Sequence, residues 1–144
     1  MHVRPLERID RLGWERLWRG YLAFYQANVP ESVFDVPFER LLTDEAYEPN
    51  ALVAVRNGSL VGLVHFLEHR HCWKTENVIY LQDLFAAPTA RGLGVGRALI
   101  EAVYDIAVQT AAGTVYWTTE NTNETAMRLY DKLATRTKFI KYQR

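Results

Sequence analysis

The stretch Ala90-Arg91-Gly92-Leu93-Gly94-Val95-Gly96-Arg97 follows a long β-type run, Val78-Ile79-Tyr80-Leu81-Gln82-Asp83-Leu84-Phe85, and opens a ladder of Val95, Leu99, Val103 and Ile106. The ladder spacing of four, four and three is the buried face of a helix, Pro88 stops the strand before it, and Gly113 closes the helix. Strand, glycine loop and helix therefore stand in sequence. Alternate glycines leave a backbone without Cβ atoms, and the unpaired N–H groups at a helix start, with the helix dipole behind them, attract phosphate oxygens. A diphosphate is the natural guest. A GxGxxG dinucleotide fingerprint would need glycine where Arg97 stands, and no segment ends in Gly-Lys-Ser/Thr, so neither NAD nor ATP is expected. The plainer reading is a glycine-rich connection that lets helix and sheet pack closely.

Upstream, His2 to Pro5 reads as a short strand, and Trp14, Trp18, Tyr21 and Tyr25 recur at helical spacing with Leu17 and Phe24 alongside. Asn28-Val29-Pro30 ends that helix, and Pro37 to Leu42 suggests a second. Leu52 to Val55, the turn signal Asn57-Gly58 and Leu60 to Leu67 make an antiparallel hairpin. Downstream, Val115 to Thr119 reads as a strand, Asn123 to Ala134 as a helix and Phe139 to Tyr142 as a closing strand. The order β-α-α-β-β-β-α-β-α-β predicts an α/β fold with a twisted mixed sheet and helices on both faces. The length of 144 residues fits a single domain over 1–144. Seventeen basic against 17 acidic residues give no global pull toward nucleic acid or membrane. One cysteine, Cys72, and no long apolar run make a cytoplasmic protein the default.

The string Arg91-Gly92-Leu93-Gly94-Val95-Gly96 is similar to the Arg/Gln-x-x-Gly-x-Gly/Ala signature of the GNAT superfamily of N-acetyltransferases. Tyr80 to Phe85 resembles the strand before that signature in the diamine and aminoalkyl branch, and Asn123 with Tyr130 seven residues on resembles its last helix. The resemblance implies acetyl-CoA as co-substrate. Backbone groups of Leu84, Phe85 and Ala86 would hold the pantetheine arm like a neighbouring strand, Gly92, Leu93, Gly94, Val95, Gly96 and Arg97 would enclose the diphosphate with Arg91 beside it, and Asn123 would touch the arm. Exposed strand edges and arginine–phosphate pairs make both placements physically reasonable. Asn123 or Asn121 could equally be a plain helix cap.

Acetyl transfer to an amine needs a neutral nucleophile and a proton for the departing thiolate. Asn123 and Tyr130 lie two helical turns apart on one face, so Tyr130 suits the general acid, the role the family resemblance also gives it. Where the diamine branch has a glutamate ahead of the strand aspartate, this chain has Gln82, which cannot titrate. Asp83 then remains for acceptor binding or water-mediated deprotonation, with Glu120 and Glu76 as further candidates. His65, His69 and Trp73, facing Trp18, Tyr21 and Tyr25, are expected to rim an acceptor pocket suited to an amine with hydrocarbon character. No metal site is expected, because strand residues two and four apart spread over ~7 to ~13 Å and His65, His69 and His71 cannot meet on one ion.

The expected activity is direct acetyl transfer to a primary amine of a small molecule, a polyamine or an amino-acid derivative. A protein lysine or N-terminus is the alternative acceptor, and a CoA-binding regulatory module without catalysis is the rival class. A closing strand at the sheet edge would pair with a second subunit, giving a homodimer.

Overall fold

The computed structural model describes residues 1–144. Its sheet has the order β1 (His2–Pro5), β2 (Asn50–Arg56), β3 (Ser59–His69), β4 (Val78–Ala86) and β5 (Thr114–Tyr116). The first four strands are antiparallel to their neighbours, and β5 joins β4 in parallel after the crossover helix α3 (Val95–Gln109). The expected mixed sheet is present. Helices α1 (Arg11–Phe24) and α2 (Ser32–Leu41) cover one face, while α3 and α4 (Glu124–Leu133) pack against the other.

Strand β2 shows how one sequence serves both faces: Ala51, Val53 and Val55 enter the core under α1 and α2, while Leu52 and Ala54 enter the core under α3. A strand covered on both sides reads as a continuous apolar run. Helix α2 begins at Ser32, ahead of Pro37, because Phe34, Phe38 and Leu41 all bury against the α1 side. The internal proline costs one backbone hydrogen bond, and that burial overrides it.

Two differences from the sequence reading shape the site. First, His65 pairs with Asp83 but Phe66 pairs with Leu81, so Gln82 is an extra residue on β4, a β-bulge. Beyond the bulge the strand's parity is switched: Ile79 and Leu81 face the α3 core, and so does Leu84, whereas Phe85 faces α1. Asp83 turns with Phe85 toward the α1 side. Second, β5 pairs with β4 only from Val78 to Tyr80, and the chain then departs instead of continuing as a strand to Thr119. From Gln82 to Ala86 the outer edge of β4 has no strand beside it, and the chain beyond Tyr116 leads to α4 instead.

The closing strand expected over Phe139 to Tyr142 is not formed. Residues 135–144 lie outside every helix and strand, with Phe139, Ile140 and Tyr142 exposed. Strand-like residues form a strand only where an edge accepts them, and within this one chain none does.

Candidate functional site

The glycine loop enters α3 through a left-handed turn. Gly92 and Gly94 both have φ of +79°, and Gly94 is the residue that caps the helix, with no side chain to bond the first turn. L-residues adopt that conformation at a cost of about 1 kcal/mol or more, so glycine is required there. The first helical backbone bond runs from the Ala98 N–H to the Gly94 carbonyl, which leaves the amides of Val95, Gly96 and Arg97 free for an anion. Gly96 has a different duty. A Cβ on it would come within 3.2 Å of Leu129, so this glycine lets α4 approach α3. Arg97 pairs with Glu101 on its own helix at 3.3 Å. Arg91 lines a cavity of about 490 Å³ with Phe85, Pro88 and, from α1, Arg16, Gly20 and Phe24.

Across the cleft, α4 carries Tyr130 against the Trp117 ring, centroids 5.4 Å apart and edge to face. Tyr104 holds the helix end by donating to the Leu133 carbonyl at 2.9 Å. Burial, with a smaller contribution from Tyr25, pushes the Tyr130 phenol up to about 12, so its proton is firmly held at neutral pH. Asn123 precedes α4 but makes no side-chain cap; its amide approaches the Thr119 hydroxyl at 3.4 Å. Tyr25, at the end of α1, completes this group. Its phenol is raised chiefly by burial and by the charge of Glu120, with hydrogen bonds from Thr119 and Asn123 pulling the other way. The end of α1 therefore meets the segment between β5 and α4.

Behind the bulge lies a buried polar chain. The Trp14 indole N–H donates to His65 Nε2 at 2.9 Å, and His65 Nδ1 meets Asp83 Oδ2 at 3.0 Å. Tryptophan can only donate, so Nε2 must offer its lone pair and the proton sits on Nδ1, directed at the carboxylate. Trp14, His65 and Asp83 are 0%, 5% and 8% exposed. Tyr21 stands beside the same carboxylate, and its phenol lies far above the ordinary range through burial first, then the charge and hydrogen bonding of Asp83. Trp18 stacks on Tyr21 and meets the edge of His65, both at 4.9 Å between centroids. Its own indole N–H is buried without a partner, a cost of about 1–3 kcal/mol.

The expected rim of three residues is not one surface. His65 lies beneath the sheet with both ring nitrogens engaged, so it does not line a rim. His69 is hydrogen-bonded to the Tyr116 hydroxyl at 2.7 Å, and Trp73, 83% exposed, sits out on the β3–β4 loop against His71. Gln82 is exposed at the bulge, and Glu120 is exposed before α4. Glu76 lies near Gly113, away from the cleft. Sequence reading did not single out Trp14, Tyr80 or Tyr116 for the site, although Tyr80 and Tyr116 stack at 5.0 Å and extend the phenol wall from Tyr21. The signal available was their shared parity on paired strands.

Residues 14–134 match the model of the acetyltransferase (GNAT) family. Over 143 residues the chain is 35% identical to the D-amino-acid N-acetyltransferase HPA3 of Saccharomyces cerevisiae, covering 99% of this chain and 89% of that one. It is 29% identical over 133 residues to the uncharacterized N-acetyltransferase YhfO of Bacillus subtilis, covering 92% and 87%. Among solved structures, AAC(6')-Iy in complex with the bisubstrate analog CoA-S-monomethyl-acetylneamine is similar in fold, with a TM-score of 0.84 at 18% identity over 99% and 95% of the two chains.

Proposed function

Because the chain belongs to the acetyltransferase (GNAT) family and is an acetyl-CoA-dependent N-acetyltransferase, we propose that it transfers the acetyl group directly to the primary amine of a small, amino-acid-like molecule. The observation that carries this reading is the free β4 edge from Gln82 to Ala86, lying between the bare amides at the start of α3 and the phenol of Tyr130. The fit to acetyl-CoA is good on two counts. An unpaired strand edge offers N–H and C=O groups to an amide-bearing arm, and two glycines at positive φ keep side chains away from a diphosphate.

Acetyl-CoA, when bound, supplies an acetyl thioester. Leu84, Phe85 and Ala86 would hold the arm through their backbone, Gly92 to Arg97 the diphosphate with Arg91 beside it, and Asn123 the far side of the arm. Tyr130 keeps a proton on its phenol oxygen for the leaving sulfur, a role that burial favours because it keeps the group neutral. Asp83, buried beside Tyr21, draws the acceptor's ammonium toward the cleft, Glu120 adds a second carboxylate near Tyr25, and the amine passes its proton to water before its lone pair attacks the thioester. The unpartnered Trp18 N–H suits an acceptor that carries a carboxylate oxygen. The similarity to a D-amino-acid N-acetyltransferase supports the same class. Polyamines are the second reading, favoured by those two carboxylates and by the diamine-branch resemblance of the strand, from which Gln82 departs.

Thiol release from acetyl-CoA should be measured against D- and L-amino acids, diamines, and peptides with a free lysine or N-terminus. Release with free amino acids is expected. Release only with peptides would move the acceptor to proteins, and CoA binding without release for any amine would favour a binding module. Homodimerisation belongs to the same proposal: the exposed apolar residues Phe139, Ile140 and Tyr142 have strand chemistry and no partner in their own chain. Light scattering should give about twice 16.7 kDa, and the monomer mass would refute it.

A further inference from the structure

The buried chain behind the bulge converges on the carboxylate of Asp83. Asp83 sits at the parity switch of β4, where a one-residue slip would turn its carboxylate to the α3 side. Oδ2 meets the His65 Nδ1–H at 3.0 Å, and Tyr21 stands beside the same carboxylate. The histidine can donate there only while its proton stays on Nδ1. Trp14 ensures that, since its indole N–H occupies Nε2 at 2.9 Å and a proton on Nε2 would set two donors against each other. Trp14 is itself fully buried, stacked on Trp18 and tilted on Phe38, with centroids 6.2 and 5.1 Å away. The anchor is therefore rigid, and it runs from α1 through β3 to β4.

We propose that Trp14 and His65 are positioning residues for acetyl transfer: the Trp14 N–H fixes the imidazole as its Nδ1–H tautomer, and that N–H holds the Asp83 carboxylate in one orientation for the incoming amine. This rests on the acceptor role given to Asp83 above. The chain stands where a dedicated base would otherwise be sought, because the residue just before Asp83 is Gln82. Neither Trp14 nor His65 meets the acceptor; both act through Asp83.

The test separates tautomer from packing. Nitrogen-resolved NMR of the wild-type imidazole should show His65 protonated on Nδ1, and Trp14→Phe should convert it to a mixture with Nε2–H. In kinetics, His65→Leu should raise the KM for the acceptor amine about tenfold with the KM for acetyl-CoA within about twofold. His65→Asn places an amide donor near the Nδ1 position and should recover most of that loss, whereas His65→Gln, whose amide sits near Nε2, should not. An Nε2–H signal in the wild-type protein, or equal impairment of the Asn and Gln variants, would overturn the proposal. If the wild-type chain acetylates no amine while the Nδ1–H signal is intact, the acceptor reading of the whole site fails and the tautomer lock stands alone as structure.

Discussion

Tyr130→Phe is expected to lower kcat roughly 100-fold or more, the range for loss of a positioned general acid, while the Kd for CoA stays within about twofold. Phenylalanine keeps the edge-to-face contact with Trp117 and removes one oxygen, so a loss confined to turnover isolates the proton. The same substitution has a signature in stability. Burial raises the folded-state phenol to about 12 against an unfolded value near ~10, so the native protein holds this proton more tightly. That contribution is fully present below about pH 10 and is lost as pH rises toward 12. Wild-type stability should therefore fall more steeply than that of Tyr130→Phe, by about 2 kcal/mol at the alkaline end, as read by urea unfolding at pH 8 and pH 11.5. Unchanged kcat in the variant would remove Tyr130 from catalysis, whatever the alkaline result.

What the sequence carried was local. The strand Val78 to Ala86, the loop and the α3 ladder were legible because a turn, a cap and a helical period are written in neighbouring residues. The bulge was not, since Gln82 becomes an extra residue only through the register between β3 and β4, and no composition marks it. The parity that His65 shares with His69 points to a rim. Strand parity gives a face, but it does not say whether a helix covers that face, and here α1 covers it with Trp14 and Trp18. Phe139 to Tyr142 has strand-like residues, and residue type alone does not supply an edge to pair with. The site shows the same division: the glycine loop and Tyr130 follow from spacing, while the Trp14–His65–Asp83 chain joins residues up to 69 positions apart and exists only after folding.

Two of the loop's glycines, Gly94 and Gly96, alike in the sequence, should respond oppositely to substitution. Gly94→Val is expected to weaken CoA binding by roughly 30-fold or more, because φ of +79° at the helix cap is strained for any L-residue and most for a β-branched one. Nothing in the protein lies within 4 Å of a Cβ placed there, so no clash adds to the backbone strain, and the melting temperature should fall by the roughly 4–8 °C that about 2 kcal/mol of left-handed strain costs a domain of this size. The added side chain instead occupies the open side of the loop, over the free amides that start α3. Gly96→Ala should do the reverse. Its Cβ would press on Leu129 at 3.2 Å, one residue before Tyr130, so the strain falls on α4 and on the phenol it carries. Affinity for CoA should stay within about threefold while kcat drops, and stability should change by less than about 1 kcal/mol, because the helix preference of alanine over glycine offsets the displacement of the Leu129 methyl. Isothermal titration of both variants with CoA, beside steady-state kinetics, distinguishes the two roles. Near-wild-type affinity in Gly94→Val would mean that the diphosphate is not held by this loop, and the placement of the arm along β4 would lose its anchor with it.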